Sequence, residues 1–138
     1  MDNLSEFIKG IELHKIILKE LKVKLLQDNP PSKIKVDMEV KTEHFEDDPN
    51  LSFLVNMNLK FTDKNSRKIA AKISIVLKLI YTSQIKPEKE ILDNFSKSSV
   101  ILNAWPYLRF WIQSIVQNFG WPSFTLPLFK LLPEGEKG

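Results

Sequence analysis

The side chains that could do catalytic or ligating chemistry are few. The chain has two histidines, His14 and His44, and no cysteine. Lack of cysteine excludes disulfides, thiolate nucleophiles and the usual zinc sites. Both histidines stand in polar, strand-like or loop-like settings. Glu46, Asp47 and Asp48 make an acidic turn, but their spacing is not that of a calcium-binding loop, and they read as solvated side chains. There is no HExxH, no glycine-rich phosphate loop and no G-x-S-x-G elbow. Four glycines in 138 residues leave little for cradling a nucleotide. No catalytic residue, metal or cofactor is assigned, and no enzymatic role is expected.

What stands out is binding chemistry of another kind. Residues 98–129 hold a single charged side chain, Arg109, and eight of the fourteen aromatics of the chain. Trp105, Leu108, Trp111, Ile112 and Ile115 fall on one side of a helix, while Tyr107, Phe110 and Phe119 point elsewhere. A helix apolar nearly all round must be buried on every side. One sheet covers only one side, so a second subunit or a ligand is expected over the rest. The five residues Trp105, Leu108, Trp111, Ile112 and Ile115 are the expected oligomer contact. Beyond the helix, Phe119, Trp121, Phe124, Leu126, Leu128 and Phe129 lie in a proline-rich stretch with Pro122 and Pro127. Proline stiffens such a loop, and aromatic anchors give large contact area at small conformational cost. A stiff aromatic loop over a sheet would form a groove for extended apolar peptide.

The elements that must position these residues can be read from periodicity. Over residues 33–41, Ile34, Val36, Met38 and Val40 alternate with five charged side chains, the period of a half-buried strand. Phe53, Val55, Met57, Leu59 and Phe61 repeat the pattern, and turn residues follow at 62–66. A third run has Ile69, Ala71, Ile73, Ile75, Leu77, Leu79 and Tyr81 on one face. Short connections between alternating runs predict an antiparallel meander. The N-terminal segment is two-sided. Leu4, Phe7, Ile11, His14, Leu18, Leu21 and Leu25 have helical spacing, yet Ile17, Leu21, Val23 and Leu25 also alternate with Lys22 and Lys24. A short helix is expected over 87–95, with Pro87 at its start. A longer one is expected over 103–118, with Asn103 as cap, Pro106 in the first turn and Gly120 at the end. Strands followed by helices make one α+β domain over residues 1–138.

Charge and composition remove other classes. A net charge of +3 is mild, and the lysines are spread rather than gathered with aromatics, so nucleic acid is not an expected partner. Residues 100–119 contain Asn103, Pro106, Arg109 and Gln113 and are too polar for membrane insertion. The start of the chain lacks the basic and apolar runs of a signal peptide, and a cytoplasmic location is expected.

The stretch Val-Ile-Leu-Asn-Ala-Trp-Pro-Tyr-Leu-Arg at 100–109, then Phe-Gly-Trp-Pro-Ser-Phe-Thr-Leu-Pro at 119–127, resembles the signature of the SecB family of protein-export chaperones. That family has a Pro-Tyr-x-Arg helix start, matched by Pro106, Tyr107 and Arg109. It then has a Gly-x-Pro-x-x-x-Leu-x-Pro crossing loop, matched by Gly120, Pro122, Leu126 and Pro127. Residues 14–21 resemble the family's first strand, and the likeness spans roughly residues 12 to 130. It implies a strand for the N-terminal segment and a four-stranded antiparallel sheet with helices on one face. It also implies a homo-oligomer, a dimer or dimer of dimers, that holds unfolded polypeptide clients in a groove under the crossing loop. Typical members are strongly acidic and dock the translocation ATPase SecA through an acidic sheet face. Here that face mixes Lys33, Lys35 and Lys41 with Asp37 and Glu39, which argues against SecA docking. Divergent relatives serve one antitoxin of a toxin–antitoxin system, and a purely structural oligomer subunit is the third reading.

Overall fold

The computed structural model describes Phe7 and residues 9–47 and 50–121. The three alternating runs are strands β2 (Ile34–Asp47), β3 (Asn50–Asp63) and β4 (Ile69–Ser83), and they pair as an antiparallel meander. Strand β1 (Ile11–Leu25) pairs antiparallel with β4, giving one sheet of order β1-β4-β3-β2. The expectation of a strand at the N-terminus holds. At the β3–β4 turn, the Asp63 carboxylate accepts the backbone N–H of Asn65 at 2.8 Å, and Arg67 takes a φ of 63°. That backbone hydrogen bond holds the Asp63 carboxyl below its usual range.

The two-sided signal of the first segment has a structural cause. The β1–β4 register slips between Leu13 and Lys15 and again between Leu18 and Glu20. His14 and Lys19 are therefore extra residues, each a β-bulge. Leu13, Ile16, Leu18, Leu21, Val23 and Leu25 consequently share one face, opposite Tyr81, Leu79, Leu77, Ile75, Ile73 and Ala71. Their spacings alternate between three and two, which imitates a helix. Ile17, expected on this face, pairs with Lys78 on the other.

Helices α1 (Lys89–Lys97) and α2 (Ser99–Asn118) pack on one face of the sheet. The odd-numbered residues of β3 and β4 lie beneath them, and from Leu51 to Phe61 and from Ala71 to Tyr81 all are buried. Phe95 of α1 anchors an aromatic cluster, with ring centroids 5.1 Å from Phe7, 5.5 Å from Phe53 and 5.2 Å from Tyr81. His44 Nε2 meets Asp93 Oδ1 at 2.8 Å and ties the outer strand β2 to α1.

Helix α2 begins at Ser99, four residues before the expected start, and Asn103 is not its cap. Asn103 Nδ2 instead donates to Tyr81 Oη at 2.9 Å. Pro106 stands inside the helix. Its ring removes one backbone hydrogen bond and crowds the carbonyl of Leu102, which bends the helix across the sheet. Ser98 adopts φ −120° and ψ −83°, which separates α1 from α2 without a loop. The helix closes as expected: Gly120 has a φ of 77° and donates its N–H to the carbonyl of Gln117 at 3.2 Å.

Leu108 is fully buried under the middle of α2. Leu108→Ala should cost about 2–5 kcal/mol in denaturant unfolding. Burial pushes the Tyr81 hydroxyl above its ordinary value of 10.0, and the hydrogen bond from Asn103 opposes this in part. The folded state therefore keeps that proton longer than the unfolded chain does. Stability from this group is complete below pH 10 and declines as pH rises through the folded-state value. Tyr81→Phe should remove that share of the alkaline decline, at a loss of about 0.5–1.5 kcal/mol at neutral pH. Urea midpoints measured across alkaline pH on both proteins check it.

Candidate functional site

The site is built from what the two helices fail to cover. Helix α2 spends one face on the sheet: Val100, Ala104, Trp105, Leu108, Ile112, Ile115 and Val116 are buried. Trp105, Leu108, Ile112 and Ile115, expected at a subunit contact, are thus taken up by the core of their own subunit. The reason is geometric. An all-round apolar helix gives no phase, and the sheet claims whichever face the connection from α1 turns toward it. The outward face carries Leu102 at 47% exposure, Tyr107 at 49% and Phe110 at 62%. Trp111 is half-buried at its margin, its ring 5.8 Å from Phe110 and nearly perpendicular to it. These four lie on adjacent i, i+4 rows and form one aromatic stripe.

A second apolar surface lies on β1. Leu13, Leu18, Leu21 and Val23 point to the helix side of the sheet, yet each is between 36% and 44% exposed. Helix α2 packs on β3 and β4, and α1 on β2, so this row on the edge strand forms an open ledge. Sequence reasoning missed it because the bulges at His14 and Lys19 break the period of two.

The expected groove residues divide. Trp121 is buried, with its ring 5.8 Å from Phe61 and 5.2 Å from Phe119. Phe119 is half-buried beside it. Trp121 therefore caps the core at the end of α2. Its Nε1 is buried without a hydrogen-bond partner among the described residues, as is Nε of Arg109. Phe124, Leu126, Leu128 and Phe129 lie outside the described residues.

Nothing in the described residues assembles a catalytic or metal centre. The His44 ring is engaged by Asp93, His14 is exposed in a bulge, and no three His, Asp or Glu side chains converge. No helix among the described residues is long and apolar enough to cross a membrane. What the arrangement offers is apolar contact area.

A four-stranded antiparallel sheet with a bent helix packed on one face matches the SecB-like fold, and the chain has it. No protein-family model matches the sequence, and no curated protein matches it. Among solved structures the chain is similar to the SecB-like chaperone Rv1957 of Mycobacterium tuberculosis, in complex with a ChAD peptide from the Rv1956 HigA1 antitoxin. The TM-score is 0.84 at 12% sequence identity, and the match covers 96% of this chain and all of the other.

The burial difference along α2 is measurable. Trp105→Ala should cost about 3–5 kcal/mol of stability. Phe110→Ser, on the outward stripe, should change the stability of the dissociated subunit, measured at low protein concentration, by no more than about 0.5 kcal/mol. Denaturant unfolding of both variants tests the assignment of faces.

Proposed function

We propose that this chain is a SecB-like holdase. It binds non-native polypeptide on apolar surface and performs no catalytic step. One observation carries the reading: a SecB-like subunit leaves two uncovered apolar surfaces beside its helices, the α2 stripe and the β1 ledge. Large apolar surfaces of this kind on a soluble chain mark interaction sites. The α2 stripe, lined by Leu102, Tyr107, Phe110 and Trp111, is assigned to self-association. Aromatic side chains in quantity suit a permanent contact. The β1 ledge and the segment 119–129, with Phe124, Leu126, Leu128 and Phe129, are assigned to the client. A cysteine-free chain fits a reducing compartment such as the cytoplasm.

Clients bound for export are the broad reading. A second reading, service to one dedicated partner, is favoured by the structural neighbour, which holds a peptide of an antitoxin. Both use the same surface and differ in client range. Docking to SecA through an acidic sheet face has no support in the lysine-bearing strands of this chain.

Suppression of aggregation by several unrelated unfolded proteins tests the proposal. A general holdase protects them all; a dedicated one protects one class only. Failure with every client, including antitoxin-type segments, would leave a structural subunit as the reading. Leu18→Glu with Leu21→Glu should abolish holding while the melting temperature stays near that of the parent. Phe110→Glu should lower the mass seen by light scattering, because an unpaired charge is costly to bury at a contact. A parent protein that is monomeric at micromolar concentration would refute the assignment of the stripe.

A further inference from the structure

The sheet face turned away from the helices carries an unexplained arrangement of charge. The register places Lys24 directly opposite Lys72, and Lys72 directly opposite Lys60. Three lysines therefore stand side by side on β1, β4 and β3, within about 10 Å across the sheet. All three are exposed, and none joins an ion pair among the described residues. The nearby carboxylates are spoken for: Glu20 holds Lys22 at 2.9 Å, and Asp37 and Glu39 face Lys35 and Lys41 at 3.9 and 3.5 Å. Like charges directly opposite on neighbouring strands are destabilising. The row thus works against the fold, and its counter-charge stands at the β2 end alone: Asp37, directly opposite Lys60 and already 3.9 Å from Lys35.

A depression of about 760 Å³ lies at this row, along residues 22–24, 37–39, 58–60 and 72–74. At its midline Leu59 and Ile73 are only 2% and 1% exposed, their side chains committed to the core. On the outer face it is bordered by Lys22, Lys24, Lys60 and Lys72, by Asp37 and Glu39, and by Asn58 and Ser74 between them. Further along the same face the character changes. Val76 and Ile80 of β4, Leu54 of β3 and Ile17 of β1 are half-buried and apolar. The face is basic at one end and mixed toward its middle, where Lys78 stands between the apolar Leu54 and Ile17, and four residues of strand, about 13 Å, separate Lys72 from Val76.

We propose that this face docks an acidic segment of a partner polypeptide, with carboxylates on Lys24, Lys60 and Lys72 and apolar side chains on Leu54, Val76 and Ile80. The occupant follows from complementarity. A nucleic acid would call for arginines and stacking aromatics along the track. The face has no arginine, its one aromatic, Phe45, lies at the far end, and Glu20, Asp37 and Glu39 would repel a continuous phosphate chain. Separate carboxylates can be spaced onto the lysines and away from Asp37 and Glu39, as a continuous phosphate chain cannot. The site is distinct from the client surfaces on the helix side, so one subunit can hold a client and dock a partner together.

The probe is a labelled extended peptide with three glutamates followed by valine and leucine. Its controls are the same peptide with lysines for glutamates and a single-stranded oligonucleotide of equal charge. Fluorescence anisotropy should show binding of the acidic peptide, weakened by salt, and none of the lysine peptide. Lys24→Glu with Lys60→Glu should weaken binding about tenfold and leave suppression of client aggregation intact. The single variant Lys72→Glu gives a readout that a merely solvated row would not. It should raise the melting temperature, by placing a carboxylate between two lysines, while it weakens the acidic peptide. The proposal is overturned if the oligonucleotide binds as tightly as the peptide, if Lys72→Glu leaves both readouts unchanged, or if an unfolded client displaces the peptide.

Discussion

One dimensional mismatch governs this subunit. Four strands set the outer pair about 14 Å apart, whereas a helix with its side chains is about 10–12 Å across. The long α2 lies over β3 and β4 and buries their inward residues completely. It does not reach β1, whose apolar row continues to the sheet edge. The short α1 is too small to fill the gap, because it is spent holding β2 through His44 and Asp93 and the core through Phe95. A sheet one strand wider than its cover leaves an apolar shelf by construction. The apolar outer stripe of α2 adds a second exposed surface, because the same helix packs its other side on the sheet.

Much of this was legible in the sequence, and the exceptions have causes. β2, β3 and β4 each keep one face mainly apolar, from Ile34 to Val40, Leu51 to Phe61 and Ile69 to Tyr81, so alternation alone placed them and the meander. β1 keeps its apolar residues on the helix side by means of two extra ones, and spacings of three and two imitate those of a helix. α2 was shortened because Pro106 was given the position where proline is least harmful. The structure tolerates it in the interior, where Asn103 is released to meet Tyr81. Which face of α2 looks outward is not legible in the sequence. Apolar residues on all sides show that a helix must be covered all round, but they carry no information about what covers which side. Trp105 and Phe110 look alike in sequence and differ only in where the sheet lies.

The two faces of the sheet divide their labour through the period of two. Each strand contributes apolar residues inward and carries its charged ones outward, so charge on the outer face can vary without touching the core. That independence allows an outer face with three adjacent lysines in a fold whose inward residues are almost entirely hydrocarbon. The electrostatic cost falls on exposed side chains, where water and salt screen it.

The bulges in β1 carry a further consequence. The proposed holdase would work at a high local concentration of strands seeking partners, and a straight sheet edge invites them to add on. Each bulge breaks the row of free backbone donors and acceptors and twists the edge away from flat pairing. The other edge, β2, is free of bulges along its whole pairing with β3, and carries charged side chains at every second position from Lys35 to Lys41. The two margins of the sheet are thus guarded by different means, one by broken geometry and one by charge, against growth into a fibre.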